Sequence, residues 1–355
     1  MMDGYDSEFM LAFVREHKEK WEQLAFEIEE REGRYMGIRK KEYVALLWLA
    51  SYLDVKSKKI IEIFFAIRRR EKMYDVYFKN KAGGGKRKIM APTRELKFLQ
   101  KQINIKILKQ HPKSSYSFGF VGGSTDDALR PHLGNGCLLM VDIKSAFPSV
   151  KKEHVRTLFE RLGFSWYVSN FFVDVATHDG CLTQGSPMSP RIFELICIDT
   201  VDRYAAQFAK DVGGIYTRYA DNIFFSISED DFSGKLKREF FREICSVKKN
   251  NSVWPNFQFH EFRVRKFAGN AIQSLGLVIH DEEIHNKREF KRRFRKAVHH
   301  AQWCLENNHD LLPEAWGKLR GLFSYAQKET LPAKLRSDYE LLKDEILNLG
   351  IDLTI

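Results

Sequence analysis

Two aspartates carry the chemistry this sequence can do. Asp142 closes the apolar run CLLMVD, and Asp221 stands in RYADNIFFS, a polar point between apolar and aromatic stretches. Burying a carboxylate in such company is costly unless it is paired or holds a cation. Carboxylates on two neighbouring strands supply the hard oxygens that Mg²⁺ prefers. Two such ions about 4 Å apart serve displacement at phosphorus, one activating the attacking hydroxyl and the other steadying the leaving group. Taken singly, each aspartate reads as readily as a strand-end cap or a salt-bridge partner.

The surrounding pattern predicts the elements that must position them. CLLMVD reads as a buried strand over 137–142, and strands near 215–219 and 223–227 flank Asp221-Asn222. Upstream, MYDVYF and KRKIMA alternate around a turn at Ala82–Gly85, which predicts a hairpin with a basic second strand. Helices are expected at about 94–109, 151–162, 166–177 and 188–209, with Pro187 in the first turn of the last. The first 75 residues read as helical: Tyr43, Leu46, Leu47, Leu49 and Leu53 recur at helical spacing, as do Ile60, Ile61, Ile63, Phe64 and Ile67. They either bind a partner or pack on the region that follows. The chain turns basic and helical again after Lys287, where Phe290, Phe294, Val298 and Trp303 form an apolar face.

At 355 residues the chain has room for two or three regions, each with its own core. Lys and Arg outnumber Asp and Glu by 58 to 47, a formal charge of +11, which favours a polyanionic partner through counterion release. Lys97 to Lys109 form one basic patch and the helix after Lys287 another. The five cysteines show no CxxC pair and no zinc spacing, so they read as reduced thiols, mostly buried. His299 and His300 have no acid or cysteine at ligand spacing. The acid-bearing start lacks an apolar signal region and no stretch approaches a membrane span, so a cytoplasmic protein without membrane contact is expected.

VDIKSAFPSV, QGSPMSP, YADN and SLGLVI occur in that order, preceded by GGGKRKIMAPTRELKFLQKQI and SFGFVGGSTDDALRPH and followed by LRGLFSYAQ. This series resembles the reverse transcriptases, and within them the bacterial retron, group II intron and antiphage-defence branch, over residues 75–330. The resemblance implies an α+β right-hand polymerase of fingers, palm and thumb with a helical N-terminal extension: 1–75 extension, 76–280 fingers and palm, 281–355 thumb. It implies that Asp142, Asp221 and Asn222 are catalytic, with Asp142, Asp221 and the Ile143 carbonyl holding Mg²⁺ or Mn²⁺. Arg87 would grip the triphosphate, aided by Lys81 or Lys86. Phe147 would be the steric gate against a 2′-hydroxyl, with Gln184 and Gly185 lining the nucleotide pocket. Leu275-Gly276 would belong to the primer-grip strand. Lys287, Arg288, Lys291, Arg292 and Arg295 would contact nucleic-acid backbone. The implied partners are an RNA template, by expectation a dedicated noncoding RNA, together with dNTPs, the DNA product and an effector protein.

The pattern departs from the family in places. Asn222 stands where most members have a second Asp, leaving the site one charge short. Asp127-Ala128-Leu129-Arg130-Pro131-His132 replaces an Asn-Ala-x-x-His element, and Ser274 precedes Leu275-Gly276 where Val-Thr is common. Arg263, with Lys266 nearby, occupies the region of a usual lysine. The alternatives left open are a polymerase making untemplated or short-repeat DNA and an inactive nucleic-acid scaffold.

Overall fold

The computed structural model describes residues 40–80, 84–120, 122–229, 232–245, 253–267, 270–280, 283–326 and 330–350. The first half of the expected N-terminal extension, Lys81, Ala82 and Gly83 lie outside the described residues.

Helices α1 (Lys40–Leu53) and α2 (Ser57–Arg68) open the described chain. Leu46, Leu49, Leu53, Ile60, Ile63 and Phe64 are buried in the same core as the middle of the chain. The expected boundary at 75 is therefore not a break in packing: α1 and α2 belong to the main body. Strands β1 (Tyr74–Asn80) and β2 (Lys86–Pro92) form the predicted antiparallel hairpin, followed by α3 (Arg94–Lys106). Buried Gln100 on α3 donates to Tyr74 Oη at 2.9 Å and to the Val175 carbonyl at 2.8 Å, tying hairpin, helix and body together. Short α4 (Thr125–Leu129) starts at Ser124, whose hydroxyl accepts from the Asp127 amide while the Asp127 carboxylate accepts from the Ser124 amide.

Strand β3 (Cys137–Asp142) is followed by α5 (Ala146–Ser149), α6 (Lys152–Arg161), α7 (Trp166–Ala176) and the two-residue strands β4 (Thr177–His178) and β5 (Cys181–Leu182). Then come α8 (Ser189–Cys197), a π-turn at Ile198–Asp202 and α9 (Arg203–Asp211), one helical run behind the sheet. Pro190, not Pro187, occupies its first turn. Strands β6 (Ile215–Tyr219) and β7 (Asn222–Ile227), helix α10 (Gly234–Ile244) and strand β8 (Arg263–Lys266) complete the central unit. Its sheet is antiparallel in the order β6-β7-β3-β8. The run LLMV is buried because α8–α9 cover one face and a smaller apolar cluster covers the other.

That smaller cluster lies under β9 (Ile272–Ser274), β10 (Leu277–His280) and β11 (Glu283–Asn286). Leu275 and Gly276 are the turn between β9 and β10, not part of a strand. Both take left-handed backbone, at φ +50° and +85°, which is why glycine suits the second position. The β10–β11 pairing also runs through the expected boundary at 280. Helices α11 (Arg288–Asn307), α12 (Leu312–Ala326) and α13 (Ala333–Asn348) form a C-terminal unit with its own core. Phe294, Val298, Ala301 and Cys304 are the buried face of α11. Trp303 is 51 % exposed, a correction to the apolar face read from the sequence: it lies one position off the stripe that reaches α12. None of the five cysteines is in a disulfide, and three are buried. Among the described residues no helix is long and apolar enough to cross a membrane.

Candidate active site

Asp142 and Asn222 stand directly opposite each other at the paired ends of β3 and β7. Tyr219 pairs with Asn222, so Ala220-Asp221 is a two-residue turn, with Ala220 left-handed at φ +56°. The turn is clipped to β3 by the Ile143 amide, which donates to the Asp221 carbonyl at 2.9 Å. The two aspartates therefore sit at the same end of the two central strands, half-buried.

A buried ion cluster holds the turn from behind. Arg218 is fully buried, with Nε 2.7 Å from Asp202 Oδ1 and Nη2 2.7 Å from Asp202 Oδ2. Nη2 also donates to Glu194 Oε2 at 3.0 Å, and Nη1 to the Ala220 carbonyl at 2.8 Å. The Tyr216 hydroxyl donates to Asp202, and the Ser117 hydroxyl to Glu194. Two acids around one guanidinium make its burial tolerable, and Asp202 lies in the π-turn that interrupts the helix. Sequence reasoning missed this network. The available signal was the spacing of Glu194 and Asp202 among the apolar residues of 192–201.

Burial pushes the Asp221 carboxyl above the usual carboxylate range, opposed by a hydrogen bond from its own backbone and by the positive charges of Arg87 and Arg218. Arg87 on β2 thus reaches the site through its field. Its neighbour Lys88 is instead paired with Asp179 at 2.8 Å. His260 was also missed, and nothing in FQFHEF marks it. Its amide donates to the Asp142 carbonyl at 2.8 Å and its Nε2 lies 3.7 Å from Asp142 Oδ2.

Gly185 takes φ +131°, and an added Cβ would lie 2.6 Å from the Met90 carbonyl oxygen. Beside it the Gln184 carbonyl accepts from the Met90 amide at 2.8 Å. The glycine thus allows β2 to approach this loop closely. Phe147 on α5 is half-buried, its ring 5.7 Å from Phe193 and 6.1 Å from Phe120. His132 is buried, with Nδ1 2.6 Å from Ser226 Oγ and Nε2 2.8 Å from Thr217 Oγ1, so it bridges β7 and β6. Burial lowers its pKa to about 3, so the ring is neutral.

Arg288, Arg292 and Arg295 are exposed on α11, while Lys287 and Lys291 are half-buried there. Their helix belongs to the C-terminal unit and does not form part of the carboxylate cluster. Tyr325 on α12 links that unit to the β9–β10 turn, its hydroxyl 3.3 Å from where a Cβ on Gly276 would lie. Arg263 is exposed on β8, opposite Met140.

The donor set fits a hard divalent cation: two carboxylates, the Ile143 carbonyl and the Asn222 amide oxygen, with burial making the Asp221 charge costly until a cation shares it. Among the described residues no cluster of three or more His, Cys, Asp and Glu side chains gathers as a metal centre, so such a site rests on two carboxylates.

Residues 79–247 match the family model described as "Reverse transcriptase (RNA-dependent DNA polymerase)". The chain is 31 % identical over 236 residues to the retron Ec86 reverse transcriptase of Escherichia coli, covering 64 % of this chain and 69 % of that one. It is 33 % identical over 178 residues to the retron Mx65 reverse transcriptase of Myxococcus xanthus, covering 45 % of this chain and 42 % of that one. It is 29 % identical over 225 residues to the retron Mx162 reverse transcriptase of the same organism, covering 57 % and 46 %. The chain thus spans under half the length of the two Myxococcus relatives.

Proposed function

Because this chain belongs to the retron-type reverse transcriptases, which are RNA-directed DNA polymerases, we propose that it extends a primer 3′-hydroxyl with deoxynucleotides at Asp142 and Asp221 while copying a dedicated noncoding RNA. The observation that carries this reading is the pair of aspartates brought together at the paired ends of β3 and β7. The β1–β2 hairpin and α3 correspond to fingers, the β6-β7-β3-β8 sheet to palm, and α11–α13 to thumb.

Bound divalent ions, Mg²⁺ or Mn²⁺, would supply charge neutralisation at the reacting phosphate and activation of the primer hydroxyl. Asp142, Asp221 and the Ile143 carbonyl would hold them. Asn222 gives an amide oxygen instead of a second charge, and its Nδ2 donates to Asp221 Oδ1 at 3.2 Å, fixing that carboxylate's rotamer. Arg87 would bind the triphosphate in the fork geometry that guanidinium offers to phosphate oxygens. Phe147 would face the sugar and exclude a 2′-hydroxyl, and Gln184 with Gly185 would line the base side. Lys287, Arg288, Lys291, Arg292 and Arg295 would neutralise duplex phosphates and make binding steeply salt-dependent. Within a cell we assign the enzyme to an antiphage-defence system with an effector protein.

Sequencing the nucleic acid that copurifies with the full chain tests the dedicated-template reading. One dominant RNA species with DNA complementary to part of it is expected. Heterogeneous cellular RNA, with no complementary DNA, would contradict it.

A further inference from the structure

We propose that Phe120 is a second specificity-determining residue, forming with Phe147 a two-ring wall against the ribonucleotide 2′-hydroxyl. The proposal rests on the reading of Phe147 as the sugar gate.

Phe120 is poorly explained by folding alone. Its backbone is left-handed at φ +67°, a conformation that costs a side chain bearing a Cβ. Its ring is 45 % exposed, so little apolar burial offsets that cost. Among the described residues its ring meets that of Phe147, at 6.1 Å between centroids.

The chain before Phe120 is held in place on several sides. Tyr116 to Phe118 lie along the outer edge of β6: the Arg218 amide donates to the Tyr116 carbonyl at 2.8 Å, and the Phe118 amide to the Arg218 carbonyl at 2.9 Å. The Ser117 hydroxyl donates to Glu194 of the buried ion cluster at 2.9 Å. Gly119 then passes directly over the turn that carries Asp221, since a Cβ there would collide with the Ala220 backbone nitrogen. Gly123 closes back on the segment, where a Cβ would lie 2.7 Å from the Phe118 carbonyl oxygen. The same arginine that anchors the Asp221 turn therefore anchors the segment that presents Phe120.

Phe147 is backed by Phe193, a ring buried in the main core, at 5.7 Å. Phe147 is thus fixed from the palm side, and Phe120 closes on it from the segment over the Asp221 turn. Two rings meeting at an angle of 42° form a corner rather than a flat wall. A corner of apolar carbon accepts a deoxyribose and leaves an added hydroxyl without a hydrogen-bond partner.

The test is single-nucleotide incorporation by the full chain on an RNA template with a DNA primer, comparing kcat/KM for a dNTP and the matching rNTP. Phe120→Ala is expected to reduce the dNTP preference about tenfold through a lower KM for the rNTP, a gain that a structural lesion does not deliver. Phe120→Leu is expected to fall between wild type and Phe120→Ala, and it serves as the readout if the alanine variant does not fold. An unchanged preference in the folded variant, or equal losses for both nucleotides, would overturn the proposal. Phe147→Val is run alongside. If it relaxes the preference and the Phe120 variants do not, the proposal fails and the gate reading stands. If Phe147→Val leaves the preference unchanged, the gate reading itself fails.

Discussion

Asn222 stands directly opposite Asp142 across the β3–β7 ladder, and its amide donates to Asp221 at 3.2 Å. The residue that departs from the family pattern therefore touches one aspartate and faces the other. An amide there orients the Asp221 carboxylate without adding charge, so the site has less attraction for a cation than a trio of carboxylates would.

Asn222→Asp should consequently lower the Mg²⁺ concentration needed for half-maximal polymerisation by about tenfold, the effect of one added charge close to a partly screened cation. Titrating Mg²⁺ and Mn²⁺ in parallel checks it, and the gain should be smaller for Mn²⁺. An unchanged metal requirement would mean that the amide oxygen already suffices.

Arg87 is the cation of the basic hairpin whose field reaches Asp221, whereas Lys88 is engaged with Asp179. Arg87→Ala is expected to raise the KM for dNTP by about 10- to 100-fold, the worth of a charge-assisted pair of hydrogen bonds. Arg87→Lys should recover only part, because a point charge lacks the fork. Steady-state kinetics with varied dNTP decides this, and an unchanged KM would remove Arg87 from the triphosphate site.

Arg218→Met would strand the carboxylates of Asp202 and Glu194 in the core. A loss of about 3–5 kcal/mol of stability is expected, seen as a large fall in Tm. Adding Glu194→Gln should restore part of it, since one uncompensated charge is gone. A Tm drop equal to that of an ordinary surface change would show that the cluster does not hold the Asp221 turn.

The buried histidines set the acid limb of stability. Burial lowers the pKa of His132 to about 3 and that of His111 to about 4, helped at His111 by Arg191. Both are neutral in the folded chain and protonate near 6.5 when unfolded, so their contribution is complete above pH 6.5 and is lost as pH falls toward the folded values. Between about pH 6 and 4 each should cost about 1.4 kcal/mol per pH unit. Denaturant unfolding at several pH values measures the slope, and replacing His132 by Asn should flatten it by one proton's worth.

Much of this architecture was legible because its signals are local. A six-residue apolar run ending on Asp142 predicted β3 to the residue, and the alternating MYDVYF and KRKIMA predicted β1 and β2. What stayed hidden depends on neighbours distant in sequence. Arg218 looks like a surface arginine until Glu194 and Asp202 arrive from another element. Leu275-Gly276 lies between strands of three and four residues, too short for a period of two to separate strand from turn. The stripe on α1 and α2 announced amphipathic helices, but their burial in the main core depends on α3 and α7. Trp303 was placed inward by residue type, and its helical angle places it outward. The candidate site followed the same division. Asp142 and Asp221 could be picked out from strand ends, and Asn222 and Arg87 only through the resemblance to the family's motifs, whereas His260 came from a segment with no pattern of its own.

The most direct measurement is primer extension by the full chain on a defined RNA template, with a DNA primer, dNTPs and either Mg²⁺ or Mn²⁺, alongside Asp142→Ala and Asp221→Ala. Template-complementary DNA is expected from the wild-type chain in at least one metal. Neither variant should yield product above about one part in 10³, while both keep a cooperative melting transition and still bind RNA. Product from either aspartate variant at wild-type levels, or none from the wild-type chain in both metals, would contradict the account.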